Sequence, residues 1–188
     1  MAIPETLGST KAVAGDSSRW NDFTRQLLDV GDERLSIMDK TGIEFAVLSN
    51  NAPGIQEIWD VDTAVEVTKK TNDAMAEAVV RHPDRYAAFA ALPMHDPEIA
   101  SEELTRCVKE MGFKGALVNG FQQLGQEDSA VYLDEPMLRP FWGTVSDLDV
   151  PFYSHPRMQL PSWALIYNGH PWLKSAPWGF AVETSIHA

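Results

Sequence analysis

The stretch Val150-Pro151-Phe152-Tyr153-Ser154-His155-Pro156-Arg157 reads as a short buried strand that ends on a histidine and is stopped by a proline. In parallel α/β proteins, ligands and metals gather at the carboxyl ends of the strands. A neutral imidazole on the end of a rigid element is placed to ligate a metal or carry a proton. It can equally be a polar strand end hydrogen-bonded to a neighbour, so the rest of the chain has to decide between the two.

Working outward, the same plan recurs. Ile43 to Ser49 (IEFAVLS) reads as a strand followed by the polar turn Asn50-Asn51-Ala52-Pro53-Gly54. Asp60 can cap a helix with an apolar stripe of Val61, Ala64, Val65, Thr68, Met75, Ala78 and Val79, closed by His82-Pro83-Asp84. Tyr86 to Leu92 is a second strand, and Asp96 with Pro97 opens the next helix. That helix carries Ala100, Leu104, Cys107, Val108 and Met111 on one face, so Cys107 reads as a small buried hydrophobe. Gly115 to Gly120 is a third strand, trailed by a loop of about fifteen residues, long enough to be a lid or pocket wall. Pro136 to Leu148 reads as the helix leading into Val150–His155. Before all of this, Ala2-Ile3-Pro4 could be a strand tail, and from Asn21 the pattern is helical until Thr41-Gly42 ends it, with Gly31 as a possible interruption. Beyond Pro156 the chain is rich in Pro, Trp and Gly, and Gly179 to Ala188 begins a helical pattern.

Strand, loop and helix alternate at roughly 35-residue intervals, which predicts an α/β domain with a parallel sheet and helices outside it. No Gly-x-Gly-x-x-Gly or P-loop follows any strand, so a barrel is favoured over a nucleotide-binding sheet. The chain has 188 residues, 44% hydrophobic and 10% aromatic, which suits one folded domain. Its net charge of -12 argues against a nucleic-acid backbone as partner. A single cysteine leaves no disulfide framework, and no apolar run reaches membrane-spanning length, so a cytoplasmic setting is expected.

Polar groups fall at each strand end: Asn50 and Asn51, His95 and Asp96, Asn119, then His155 and Arg157. Asn119 could bind a substrate oxygen or brace the following loop. Arg157 could hold a carboxylate bidentately or form a salt bridge. His95 competes with Asp96 for the helix cap, His82 suits a helix carboxyl end, and His170 and His187 lie where structural roles are commoner. No His-x-His, Glu-x-His or His-Glu-x-x-His pair occurs, so local spacing assembles no metal site.

Several strings together resemble the metal-dependent, non-oxidative aromatic-acid decarboxylases of the amidohydrolase superfamily, such as the γ-resorcylate, 2,3-dihydroxybenzoate, salicylate and 6-methylsalicylate decarboxylases. They are Ala2-Ile3-Pro4-Glu5-Thr6, Asn51-Ala52-Pro53-Gly54, His82-Pro83-Asp84-Arg85, Ala88-Phe89-Ala90-Ala91-Leu92 and Glu102 to Val108. Gly112 to Gly120, Asp147 to Tyr153 and His155-Pro156-Arg157 complete the set, in the same order along essentially the whole chain. The resemblance implies a (β/α)8 barrel of about 300 residues or more. It also implies a homo-oligomer with a divalent metal, Zn or Mn.

In that family the metal is held by a Glu-x-His or His-x-His pair on the first strand, a His ending the fifth and an Asp ending the eighth. A His and a Glu after the sixth strand assist the chemistry. By resemblance His155 is the fifth-strand metal ligand, while Asn119 and Arg157 lie at the substrate mouth. The residues that would act as acid or base have no counterpart here. The expectation is therefore a single, incomplete amidohydrolase-type barrel domain over residues 1–188, spanning about strands two to five, cut short at both ends. Its whole protein would decarboxylate a hydroxylated benzoic acid. The alternatives are a non-catalytic assembly partner of a longer relative, or a metal-dependent hydrolase of the same superfamily. A catalytic zinc needs about three protein ligands. The chain alone is thus expected to be inactive, and poorly stable with its strand edges open.

Overall fold

The computed structural model describes residues 17–173 together with 178, 181, 182, 184 and 185. The readings of residues 2–4 as a strand tail and of His187 fall outside these. Near the start, the possible interruption at Gly31 is a real break, giving two helices: α1 (Ser17–Leu28) and α2 (Asp32–Thr41). The break has a local cause. The Asp29 carboxylate accepts from the backbone N–H groups of Gly31 (3.2 Å) and Arg34 (2.5 Å), capping α2 from outside. Such side-chain bonds compete with helix continuation.

Four parallel strands follow: β1 (Ala46–Leu48), β2 (Tyr86–Ala88), β3 (Ala116–Asn119) and β4 (Phe152–His155). β1 pairs with β2 from Ala46↔Tyr86 to Leu48↔Ala88, and β3 with β4 from Ala116↔Phe152 to Asn119↔His155. A single bridge, Ala90↔Ala116, joins the pairs, with Ala90 N–H donating to Gly115 O at 2.8 Å and Leu117 N–H to Ala90 O at 3.0 Å. The array therefore runs β1-β2-β3-β4 in chain order, with helices as crossovers, as in a segment of a (β/α) barrel. The ladders are shorter than the apolar runs that announce them, which span 43–49, 86–92, 115–120 and 150–155. Apolar runs report burial, whereas a ladder also needs a neighbour at hydrogen-bonding distance, and beyond Ala88 that contact narrows to one bridge.

The crossovers are α3 (Val61–Arg81), α4 (Pro97–Lys109) and α5 (Arg139–Leu148), the last preceded by a 3-10 turn, Pro136–Leu138, rather than continuing as one helix. Their caps match the sequence. Asp60 accepts from Thr63 N–H at 2.9 Å, and Asp96 from Glu98 N–H at 2.8 Å and Ile99 N–H at 3.2 Å, with Pro97 in the first turn. Such a cap is worth about 1 kcal/mol. His82 ends α3, donating its backbone N–H to Ala78 O, with its ring edge-on to Tyr86.

One face of the sheet packs on these helices. Leu48, Tyr86, Ala88, Ala90, Ala116 and Val118 meet Met75 and Ala78 of α3, Leu104 and Cys107 of α4, and Phe141 of α5. Each large apolar side chain buried here contributes about 1.5–3 kcal/mol, and the alanines let the helices come close. Cys107 is fully buried, and burial pushes its thiol pKa up, so it is the inert hydrophobe the pattern predicted. Behind β2, Asn72 of α3 clasps both backbone groups of Ala91 (3.0 and 2.9 Å) and donates to buried Glu103 at 2.7 Å. Arg106 grips the same carboxylate through Nε and Nη2. By the alternation of a strand, the opposite face carries Val47, Leu117 and Tyr153. Val47 is 48% and Tyr153 51% exposed, so this face is open among the described residues.

After β4 the irregular Trp-rich segment wraps back onto the loop that follows β3. Tyr132 stacks on Trp163 at 6.2 Å between ring centroids, and Asp128 accepts from the backbone N–H and hydroxyl of Ser162. Gln122 and Val131 form an antiparallel bridge, and Phe121, Gln122 and Gln123 are buried, so the long loop is a fixed wall at its start. Residues 181, 182, 184 and 185 are helical, in keeping with the pattern after Gly179.

Candidate functional site

Strand parity decides which side chains face the open side. Val118 lies in the helix-facing core, so Asn119 points the other way, and the register Asn119↔His155 sets His155 beside it on the neighbouring strand. Both sit at the carboxyl end of the sheet. Asn119 is 1% exposed, and its Oδ1 is buried with no hydrogen-bond partner; the same holds for Nδ1 of His155. Leaving a buried polar atom unsatisfied costs about 1–3 kcal/mol. Two such atoms, one on each of two adjacent strand ends, mark a place shaped for something that hydrogen-bonds or ligates.

A glycine makes room for this arrangement. Gly54 lies in the 3-10 turn Gly54–Glu57 of the loop after β1, at φ +61°. A Cβ there would lie 2.6 Å from Asn119 Nδ2 and 3.0 Å from Asn50 Nδ2. Only glycine combines that left-handed backbone with so close an approach. The structure thus gathers Asn50, Gly54 and Asn119 around the end of β3 next to His155. The remaining strand-end residues go elsewhere.

His95 is buried, its Nε2 2.7 Å from Ile58 O and 2.9 Å from Gln122 Nε2. Burial lowers its pKa below the usual imidazole range, so it is a neutral brace between the loops after β1 and β2. Asp96 is occupied as a cap. His170 stands edge-on to Trp172, away from the strand ends.

Arg157 departs from expectation. Its guanidinium, expected either at a substrate carboxylate or in a salt bridge, turns into the protein: Nη1 donates to Gln56 O (2.9 Å) and Phe121 O (3.2 Å), and Nη2 to Gln123 Oε1 (2.9 Å). The plane lies 4.4 Å from the centre of the Phe121 ring, a cation–π contact. Glu57 Oε1 is 3.8 Å away; burial raises the Glu57 carboxyl pKa, and the charge of Arg157 pulls the other way. At 4% exposure the guanidinium is committed to positioning loops. The physical reason is the supply of acceptors: carbonyls at the ends of β1 and β3 face inward beneath the mouth, where a five-donor side chain satisfies several together.

Gln56, Gln122 and Gln123 form the other half of that junction, and the sequence reading did not single them out. Uncharged amides in short irregular strings such as Gly54-Ile55-Gln56-Glu57-Ile58 carry no periodic signal.

Among the described residues, no three His, Cys, Asp or Glu side chains come together to hold a metal ion. His155 fits as one ligand, with a buried unpartnered nitrogen; the set does not close on these residues alone. No described helix is long and apolar enough to cross a membrane. A cavity of about 320 Å³ lies elsewhere, along the outer edge of β1 between Leu28, Arg34, Val47 and Met75, and presents no comparable unpartnered group.

Comparison with known proteins places the chain as a whole. The γ-resorcylate decarboxylase of Rhizobium radiobacter is 53% identical over 188 residues, covering the whole chain and 57% of that protein. A crystal structure of 2,6-dihydroxybenzoate decarboxylase complexed with 2,6-dihydroxybenzoate superposes with a TM-score of 0.94 at 50% identity, over the whole chain and 57% of the other. The dihydroxybenzoic acid decarboxylase of Polaromonas sp. JS666, with bound manganese and the inhibitor 2-nitroresorcinol, gives 0.93 at 48% identity, over 100% and 56%. The chain spans a little over half the length of these relatives. The amidohydrolase family model matches residues 31–187, and on that match, with a parallel β/α array ending in Asn119 and His155, the chain belongs to the amidohydrolase family.

Proposed function

We propose that the protein is a metal-dependent, non-oxidative decarboxylase of a hydroxylated benzoic acid, with 2,6-dihydroxybenzoate as the leading substrate. In this reading His155 is one metal ligand and Asn119 contacts the substrate. The observation that carries it is the Asn119–His155 pair, adjacent in register with a buried unpartnered atom on each, in a chain half identical throughout to resorcylate decarboxylases. A divalent cation, manganese ahead of zinc because structural relatives hold manganese, supplies Lewis-acid charge for the carboxylate and neighbouring hydroxyl when bound. The further ligands it needs lie outside the described residues.

What this chain's residues do is narrower. Asn119 Oδ1 accepts a phenolic O–H, which orients the ring and relieves the unsatisfied acceptor. Val47, Leu117 and Tyr153 line the open sheet face and offer an apolar surface to the ring. Decarboxylation then requires a proton at the ring carbon bearing the carboxylate. The carbon–carbon bond breaks, its electron pair restores the aromatic ring, and CO2 leaves. The acid that delivers the proton is not among the described residues.

Exposed Trp163, Leu165, Ile166 and Trp172 support a homo-oligomer, and the lone buried Cys107 fits a cytoplasmic protein. The test is CO2 release by the full-length protein, supplied with Mn2+, from a panel of mono- and dihydroxybenzoates. Release from 2,6-dihydroxybenzoate, abolished together with tight Mn2+ binding in His155→Ala, is the expected result. No release from any member of the panel would overturn the reading.

A further inference from the structure

A parallel ladder connects each strand only to its neighbours, so nothing in the sheet itself links β1 to β3 or β4. One residue does. Gln56, on the loop after β1, is 1% exposed. Its side-chain Nε2 donates to Leu92 O at 2.8 Å, beyond the end of β2, and its Oε1 accepts from the backbone N–H of Asn119 at 3.1 Å, the end of β3. Its own carbonyl accepts from Arg157 Nη1 at 2.9 Å, two residues past the end of β4, and from Gln123 N–H at 2.9 Å. The carbonyl also takes a third bond, from Gln122 Nε2 at 3.2 Å. The carboxyl ends of all four strands therefore meet on a single buried residue.

We propose that Gln56 is a positioning residue for the site: its carboxamide fixes Asn119 and its carbonyl anchors Arg157, which together set the placement of Asn119 Oδ1 relative to His155. Three features support this beyond a generic structural bond. The side-chain bond to β3 falls on the backbone of Asn119 itself, whose side chain carries the unpartnered acceptor. The carbonyl bond reaches Arg157, two residues past the imidazole across Pro156, a short and stiff connection. Finally, the polar groups involved are buried, so water cannot replace a lost partner at low cost. A shift of the site groups by ~1 Å is enough to cost on the order of 100-fold in rate.

The inference rests on the Asn119–His155 reading, and the experiment separates the two. In the full-length protein, Gln56→Met keeps the length of the side chain and the backbone carbonyl but removes the carboxamide's bonds to Leu92, Asn119 and Gln122. Its expected signature is amide hydrogen exchange at Asn119 accelerated at least ~10-fold while Leu117 changes little. With it, kcat on 2,6-dihydroxybenzoate falls about 10- to 100-fold at nearly constant KM. Gln56→Glu supplies the second arm. Protonated, its carboxylic acid donates to Leu92 O and accepts from Asn119 N–H as the amide does; ionised, it cannot donate. Its Asn119 exchange protection and kcat, each taken as a ratio to wild type at the same pH, should therefore recover as pH falls.

The proposal is overturned if Gln56→Met keeps kcat and Asn119 exchange within about twofold of wild type, or if Gln56→Glu shows the wild-type pH profile. Should wild type release no CO2 from any hydroxybenzoate, the decarboxylase reading fails, and Asn119 exchange in the two variants still decides the role of Gln56.

Discussion

Replacing Gly115 with alanine should damage this protein severely. Gly115 sits where three strands meet: its carbonyl accepts from Ala90 N–H at 2.8 Å, and the next residue, Ala116, donates to Pro151 O at 3.1 Å. A Cβ at 115 would overlap that Pro151 carbonyl oxygen, with Pro151 Cγ at 3.0 Å and Phe89 Cε1 at 3.2 Å. The oxygen belongs to backbone and cannot swing aside, so the entry to β4 has to move. Losing the Ala116–Pro151 bond costs about 1 kcal/mol. Forcing a methyl into packed surroundings adds about 1–3 kcal/mol, so Gly115→Ala should destabilise by about 2–4 kcal/mol.

Gly143 is the internal control. It lies within α5 with nothing within 4 Å of its would-be Cβ, so Gly143→Ala should stabilise by about 0.5–1 kcal/mol. Urea unfolding followed by tryptophan fluorescence reads both, because Trp142 packs edge-to-face on Phe152 of β4 at 4.7 Å and reports on that corner. A Gly115→Ala midpoint equal to wild type, or the two variants shifting together, would refute the close-approach argument. The same variant should also weaken function, because β3–β4 register is what sets Asn119 beside His155.

Two further outcomes follow from buried charge and buried imidazole. Arg106→Met leaves the Glu103 carboxylate, 5% exposed, with Asn72 as its remaining strong donor; partial exposure of the guanidinium moderates the loss to about 1–3 kcal/mol. Lys70→Ala, which removes an exposed pair with Glu66, should change stability by less than about 0.5 kcal/mol, and equal thermal shifts for the two would contradict the distinction. For His95, burial depresses the folded-state pKa, so below about pH 6.5 the unfolded chain binds the proton that the native state refuses. Its contribution is fully present above that pH and is lost as pH falls toward the folded value. Melting temperatures at pH 7.5 and 5.5 should fall less in His95→Gln than in wild type, and an unchanged difference would rule His95 out as the source.

Much of the fold was legible because its signals are local. Asp60 and Asp96 announce helices since a capping carboxylate acts within three residues, and the alternation of apolar strings with amphipathic stripes is itself what buries one sheet face under helices. The break between the first two helices was legible as an interruption at Gly31, but its cause, the Asp29 side chain bonding two nearby amides, looks in one dimension like any polar residue on a helix. Strand ends were overrun for a related reason: hydrophobicity marks burial, and ladders need a partner that the string does not name.

The site divides along the same line. The amino-acid string, through order, spacing and family resemblance, already pointed to a β/α array with His155 and Asn119 at strand ends. Only the folded chain decided which of the strand-end groups face one another. Parallel register put Asn119 next to His155, Gly54 cleared the space beside them, and Arg157 turned inward to carbonyls that sequence cannot locate. Gln56 became visible only there, since its partners lie 36, 63 and 101 residues away and a hydrogen bond depends on distance in space.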